Sequence, residues 1–172
     1  MIGKGAISAD SHVSEPPHCY IDFIDPKYRD DAPRIEALPD GSEHYVIKGL
    51  KKNVPLALLD GAGYSIPDRN ARVGKIKFSD TRPAGWNPKA READQIRDGI
   101  AAEIMYASVG MALCTHPDPD YKNACMQAYN RWLETFCAGL PNRLFGLAMT
   151  AVMDVDSAID CLLYTSPSPR DS

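Results

Sequence analysis

At 172 residues the chain has the length of one domain, or of a piece of a larger one. Its composition, 44% hydrophobic and 24% charged, is sufficient for a globular core. A net charge of -4, a pI near 5.5 and no basic cluster beyond Lys48, Lys51 and Lys52 argue against a nucleic-acid partner. No apolar run is long enough to cross a membrane and none reads as a signal segment, so no membrane partner is expected. Five cysteines without a Cys-x-x-Cys pair fit reduced thiols in a cytoplasmic protein.

The first predicted strand, at about residues 5–10, runs into Ser8-Ala-Asp10-Ser-His12-Val-Ser-Glu15-Pro16-Pro17. Residues two apart on an extended chain share a face, so Asp10 and His12 are expected to converge where the strand ends. A carboxylate beside an imidazole suits a divalent metal, with zinc expected first and manganese or iron as alternatives. The same Asp-x-His pattern also serves as a strand-end hydrogen bond. Arg34 to Leu38 and His44 to Ile47 flank Pro39-Asp40-Gly41 and predict a β-hairpin turning at Asp40-Gly41. From Gly49 to Gly85 periodicity is lost, and residues 34–85 together read as an excursion after the first strand.

The pattern then becomes regular. Asn87-Pro88 is a helix start, with Ala90, Ala93, Ile96 and Ile100 at helical spacing and Asp98-Gly99 as its end. Ala101 to Ala107 reads as a buried strand. Asp118-Pro119 opens a second helix whose apolar stripe is Tyr121, Ala124, Cys125, Ala128, Tyr129, Trp132, Leu133 and Phe136, closed by Gly139 and Pro141. Leu144 to Met149 is a third strand, and a third helix begins at Asp154. Alternating strands and helices with short links imply an α/β fold with parallel strands and right-handed crossovers. Three such units leave open sheet edges, and a complete (β/α)8 barrel takes roughly 250 residues. A partial barrel domain over residues 1–160 is expected. Residues 161–172, ending Ser-Pro-Ser-Pro-Arg-Asp-Ser, resemble translated sequencing-adapter read-through at the end of a metagenomic reading frame, and are expected to be a non-native or disordered tail.

Several blocks in order carry a family resemblance. They are Ala9-Asp10-Ser11-His12 with Glu15-Pro16-Pro17, Gly85-Trp86-Asn87-Pro88-Lys-Ala-Arg91, Asp94 to Glu103, Tyr106-Ala-Ser108-Val-Gly110, Ala124 to Leu133, and Pro141 to Ala148. Over about residues 6–160 the chain resembles the amidohydrolase-related family that includes aminocarboxymuconate-semialdehyde decarboxylase and γ-resorcylate decarboxylase, and within it the subgroup opening Asp-Ser-His-x-x-Glu-Pro. The resemblance implies the N-terminal part, about three β/α units, of a metal-dependent TIM-type (β/α)8 barrel. It implies decarboxylation or hydrolysis of small organic or aromatic acids, in a parent protein that is a homo-oligomer. Asp10 stands where decarboxylase relatives carry the first histidine of His-x-His, and His12 matches the second. Family ligands and proton-transfer groups from later strands have no counterpart in these residues, so the fragment alone is expected to be inactive.

Barrel chemistry gathers at the C-terminal ends of strands, which singles out Asp10 and His12, then Tyr106 and Ser108, then Thr150. Glu15 is a candidate for orienting His12 or for a distant metal bond, and alternatively for capping a turn before Pro16-Pro17. Ser108 and His116 are candidates for facing substrate, with a surface-loop role as the alternative for His116. The polar excursion is expected to cover the mouth or, as a surface ribbon, to make a subunit contact. A small non-catalytic α/β binding or oligomerisation module remains the competing reading of the whole chain.

Overall fold

The computed structural model describes residues 5–61, 63–72, 75–152, 155, 156 and 158–160. The tail at 161–172 and the helix start at Asp154 lie outside the described residues, although 155, 156 and 158–160 are helical. Strand β1 (Ala6–His12) pairs in parallel with β5 (Ile100–Tyr106), which pairs in parallel with β6 (Leu144–Gly146). The sheet order is β1-β5-β6, so β5 is central and the other two are edges. The first strand extends past residue 10 to include both Asp10 and His12, and the third stops at Gly146, before its predicted end at Met149.

Helix α3 (Pro88–Asp98) joins β1's side of the molecule to β5. Asn87 Oδ1 accepts the amides of Lys89 and Ala90, and Pro88 occupies a position where no amide is needed. Gly99, at φ 69°, closes the helix in the left-handed conformation that a side chain disfavours. Ile100 belongs to β5, not to the helical stripe predicted for it. Within the rest of that stripe Ala93 and Ile96 are exposed, Ile96 at 64%, and Ala90 is half-buried, while Gln95 is buried. The helix meets the sheet through polar side chains, because Arg91 and Gln95 have a buried acidic partner there in Glu103.

Helix α5 (Pro119–Ala138) follows its predicted stripe closely. Asp118 caps it by accepting the Tyr121 amide at 3.1 Å, and Tyr121, Ala124, Cys125, Ala128, Tyr129, Trp132, Leu133 and Phe136 are all buried. Each large apolar side chain so buried contributes about 1.5–3 kcal/mol. Asn130, also buried, holds the chain beyond β6 by exchanging hydrogen bonds with both the amide and the carbonyl of Met149. Burial raises the Cys125 and Cys137 thiols, to about 12 and about 11, which suits packing and not nucleophilic chemistry.

The excursion is built from short pieces. Strands β2 (Arg34–Ala37) and β3 (Glu43–Val46) pair antiparallel around a turn with Gly41 at φ 83°, and β4 (Val54–Pro55) adds a third strand that the sequence reading missed. Helix α2 (Ile66–Arg72) and several single 3-10 turns complete it. One side of it is packed and the other is open. Tyr45 and Ile47 are buried in the same core as Tyr20, Met105 and Trp132, because the alternating faces of β3 turn one side inward. Short helix α1 (His18–Ile21) packs Cys19 and Tyr20 between this segment and α5.

Candidate functional site

An irregularity in β1 sets the site. Pairing with β5 is out of step between Ser8 and Ser11, as Ser8 lies opposite Glu103 and Ser11 opposite Met105. The extra residue puts both serines on the α3 side, where their hydroxyls meet at 2.8 Å and Ser11 donates to Glu103 Oε1 at 2.9 Å. Asp10 and His12 are left together on the uncovered side, with Asp10 Oδ1 3.5 Å from His12 Nε2. Their side chains are 85% and 39% exposed. The Tyr106 ring stacks on the imidazole at 5.7 Å.

The other imidazole nitrogen has a defined partner. His12 Nδ1 lies 2.9 Å from the Ala107 carbonyl, which can only accept, so in the neutral ring Nδ1 carries the proton and Nε2 keeps its lone pair. Ser108 Oγ is 3.4 Å from the same nitrogen and donates to the Val13 carbonyl at 2.7 Å. Arg91 secures the strand from behind: it donates to both oxygens of Glu103, at 2.6 and 3.0 Å, and to the His12 carbonyl at 3.2 Å. Burial alone raises the Glu103 carboxyl, but the bonds from Arg91, Gln95 and Ser11 and the Arg91 charge outweigh it and hold the group below the usual range.

Glu15 does not meet His12 directly. Its carboxylate is fully buried and accepts three backbone amides, those of Ser108 and Gly110 on Oε1, each at 3.0 Å, and that of Val109 on Oε2 at 3.1 Å. It thereby caps the short helix α4 (Gly110–Leu113). Burial raises this carboxyl, opposed by the same three amides and by Glu15's own. His116 is buried with both nitrogens committed: Nε2 to the Lys48 carbonyl at 2.7 Å, and Nδ1 accepting the Asp118 amide at 3.1 Å. The structure therefore makes His116 a packing residue and does not bring it to the mouth. Thr150 lies beyond the end of β6 with its hydroxyl buried and no hydrogen-bond partner.

Asp10, His12 and Ser108 line a cleft of about 730 Å³ together with Arg82, Arg91 and Asp94. That volume is in the range of small-molecule sites. Arg91 and Asp94 stand in the matching blocks without an assigned role, and Arg82 stands outside them. The signal for Arg91 was its reach: a helical arginine followed by a buried acid on the next strand.

The Asp10–His12 pair fits a divalent ion. With metal–ligand bonds of about 2.0–2.2 Å, two ligands of a tetrahedral ion stand roughly 3.3–3.6 Å apart, and a ligating histidine typically donates its other N–H to a carbonyl, as His12 does. Among the described residues, no group of three or more His, Cys, Asp or Glu gathers to hold an ion, so the pair is an incomplete ligand set.

No protein-family model and no curated protein matches the sequence. Among solved structures, the chain is similar to an amidohydrolase from Mycobacterium avium subsp. paratuberculosis K-10, with a TM-score of 0.65 at 18% identity. The fold is amidohydrolase-like. The match covers 94% of this chain and 47% of that one, so the chain spans about half the length of the amidohydrolase it resembles. The mixed α/β architecture with a parallel sheet is consistent with part of a TIM-type barrel. No helix among the described residues is long and apolar enough to cross a membrane.

Proposed function

We propose that this chain is the N-terminal portion, about three β/α units with an inserted hairpin, of a cytoplasmic metal-dependent enzyme of the amidohydrolase-related family. Its substrates are small organic or aromatic acids, cleaved by hydrolysis or decarboxylation. The observation that carries the reading is the convergence of Asp10 and His12 at the C-terminal end of β1, 3.5 Å apart, in an amidohydrolase-like parallel sheet.

In this reading Asp10 Oδ1 and His12 Nε2 supply two ligands to a divalent ion, zinc by the chemistry of a carboxylate–imidazole pair. When bound, the ion polarises a substrate carboxylate or lowers the pKa of a water. Ala107 holds the His12 ring in the ligating tautomer, Arg91 fixes the carbonyl behind it, and Tyr106 limits solvent on one side of the ring. The remaining ligands and the proton-transfer group come from strands outside this half of the barrel.

Recovering the reading frame from its source DNA past the codon for residue 160 tests this. A continuation of on the order of 150 residues is expected, as a closed barrel requires. The longer protein should show metal-dependent turnover on a panel of aromatic carboxylic acids and esters, lost in Asp10→Ala and His12→Ala. A stop codon there, or turnover indifferent to both substitutions, would contradict the proposal and favour a non-catalytic module.

A further inference from the structure

Glu15 is the most deeply buried acid in the described chain, yet no basic side chain meets it. Its partners are three consecutive amides, Ser108, Val109 and Gly110. A carboxylate bonded to consecutive amides fixes the backbone that carries them, because each bond to a charged acceptor is worth more than a neutral one. That backbone is the one that reaches His12. The Ala107 carbonyl, immediately before the clamped amides, is the Nδ1 partner, and the Ser108 hydroxyl ties the same loop to Val13. Glu15 is itself anchored from outside the sheet: the Tyr45 hydroxyl donates to the Glu15 and Pro16 carbonyls at 2.8 and 2.7 Å. The excursion, the loop after β1 and the loop after β5 therefore meet at one residue, the excursion on its backbone carbonyl and the loop after β5 on its carboxylate.

We propose that Glu15 is a positioning residue for His12: by clamping the amides of Ser108 to Gly110 it presents the Ala107 carbonyl to Nδ1, which leaves the Nε2 lone pair facing Asp10. This deepens the metal-enzyme reading, on which its functional meaning rests, but the positioning itself is a property of the metal-free chain. Glu15 touches neither Asp10 nor His12; it acts through the 107–110 backbone.

The test is nitrogen-15 NMR of the imidazoles in the metal-free 172-residue chain at about pH 8.5, above the ordinary imidazole pKa of about 6.5. His12 is assigned by the loss of its signals in His12→Gln. The wild type is expected to show Nδ1 protonated and Nε2 bare. In Glu15→Gln the Nδ1–H preference should fall several-fold, exchange of the Val109 and Gly110 amides should quicken, and zinc affinity should drop by about 10-fold, the usual scale for a residue supporting a ligand. Ser108→Ala keeps all three amide donors and should keep the wild-type tautomer. A wild-type proton on Nε2 overturns the proposal whether or not Glu15→Gln folds. So does a folded Glu15→Gln with tautomer and exchange unchanged, or a tautomer switch in Ser108→Ala, which would assign the positioning to the hydroxyl. Failure of Asp10 and His12 to bind metal leaves these spectra untouched, so the two readings can fail separately.

Discussion

Arg91 and Glu103 form a largely buried, two-pronged ion pair that also ties α3 to the carbonyl of His12. Removing one partner of such a pair leaves an uncompensated charge, so Arg91→Ala is expected to destabilise the chain by about 3 kcal/mol, read as a lower urea midpoint. The pH dependence follows from the lowered Glu103 value. A carboxyl held low in the folded state favours folding when ionised; its contribution is full above the unfolded value of about 4.3 and is lost as pH falls through the folded value. Stability should therefore decline on acidification below about pH 4.3, and Glu103→Gln should flatten that acid limb while lowering stability at pH 7. An unchanged acid limb would remove Glu103 as its cause. At this scale the shared face of Asp10 and His12 was legible from two-residue spacing, but the reason it survives, the extra residue between Ser8 and Ser11, was not. A bulge is set by the partner strand, and a local pattern of small polar residues does not announce it.

Helix ends were the most readable elements, since Asn87-Pro88 and Asp118-Pro119 carry their capping chemistry locally. Asp118→Ala should cost about 1 kcal/mol in thermal or urea unfolding, against no change if the Tyr121 amide finds water instead. The face that α3 presents was not readable. Ala90, Ala93 and Ile96 suggested an apolar contact, whereas Arg91 and Gln95 reach the sheet, because their acidic partner lies on a strand whose position depends on the whole fold. The excursion was opaque for a related reason: its core residues, Tyr45, Leu56 and Ile76 among them, are spaced by tertiary packing and not by a helix or strand period. One close approach there is testable. A Cβ on Gly85 would stand 2.6 Å from Ser14 Oγ and 2.8 Å from Ser14 Cβ, so Gly85→Ala should destabilise by about 1–3 kcal/mol and displace the segment leading to Glu15. Wild-type stability in that variant would mean the Ser14 segment yields freely.

As a whole molecule the chain has a parallel sheet with β1 and β6 at its edges, an uncovered face carrying Asp10 and His12, and apolar side chains such as Phe145 and Leu147 about two-fifths exposed. Sheet edges and exposed apolar groups of this kind are surfaces that further strands or a partner can cover. The order of strands and helices was legible because each unit is built from neighbouring residues, and the fold they build is similar to 47% of an amidohydrolase chain; what lies against the sheet's edges was not, since edge pairing is set by tertiary packing and not by a local pattern. The central claim, that Asp10 and His12 together hold a divalent ion, is most directly tested by calorimetric zinc titration of the 172-residue chain beside Asp10→Ala and His12→Ala. One weakly held zinc per chain is predicted, with affinity in each variant reduced by more than the ~10–100-fold that loss of a supporting residue costs. Zinc binding of equal strength in all three proteins, or none in the wild type, would contradict it.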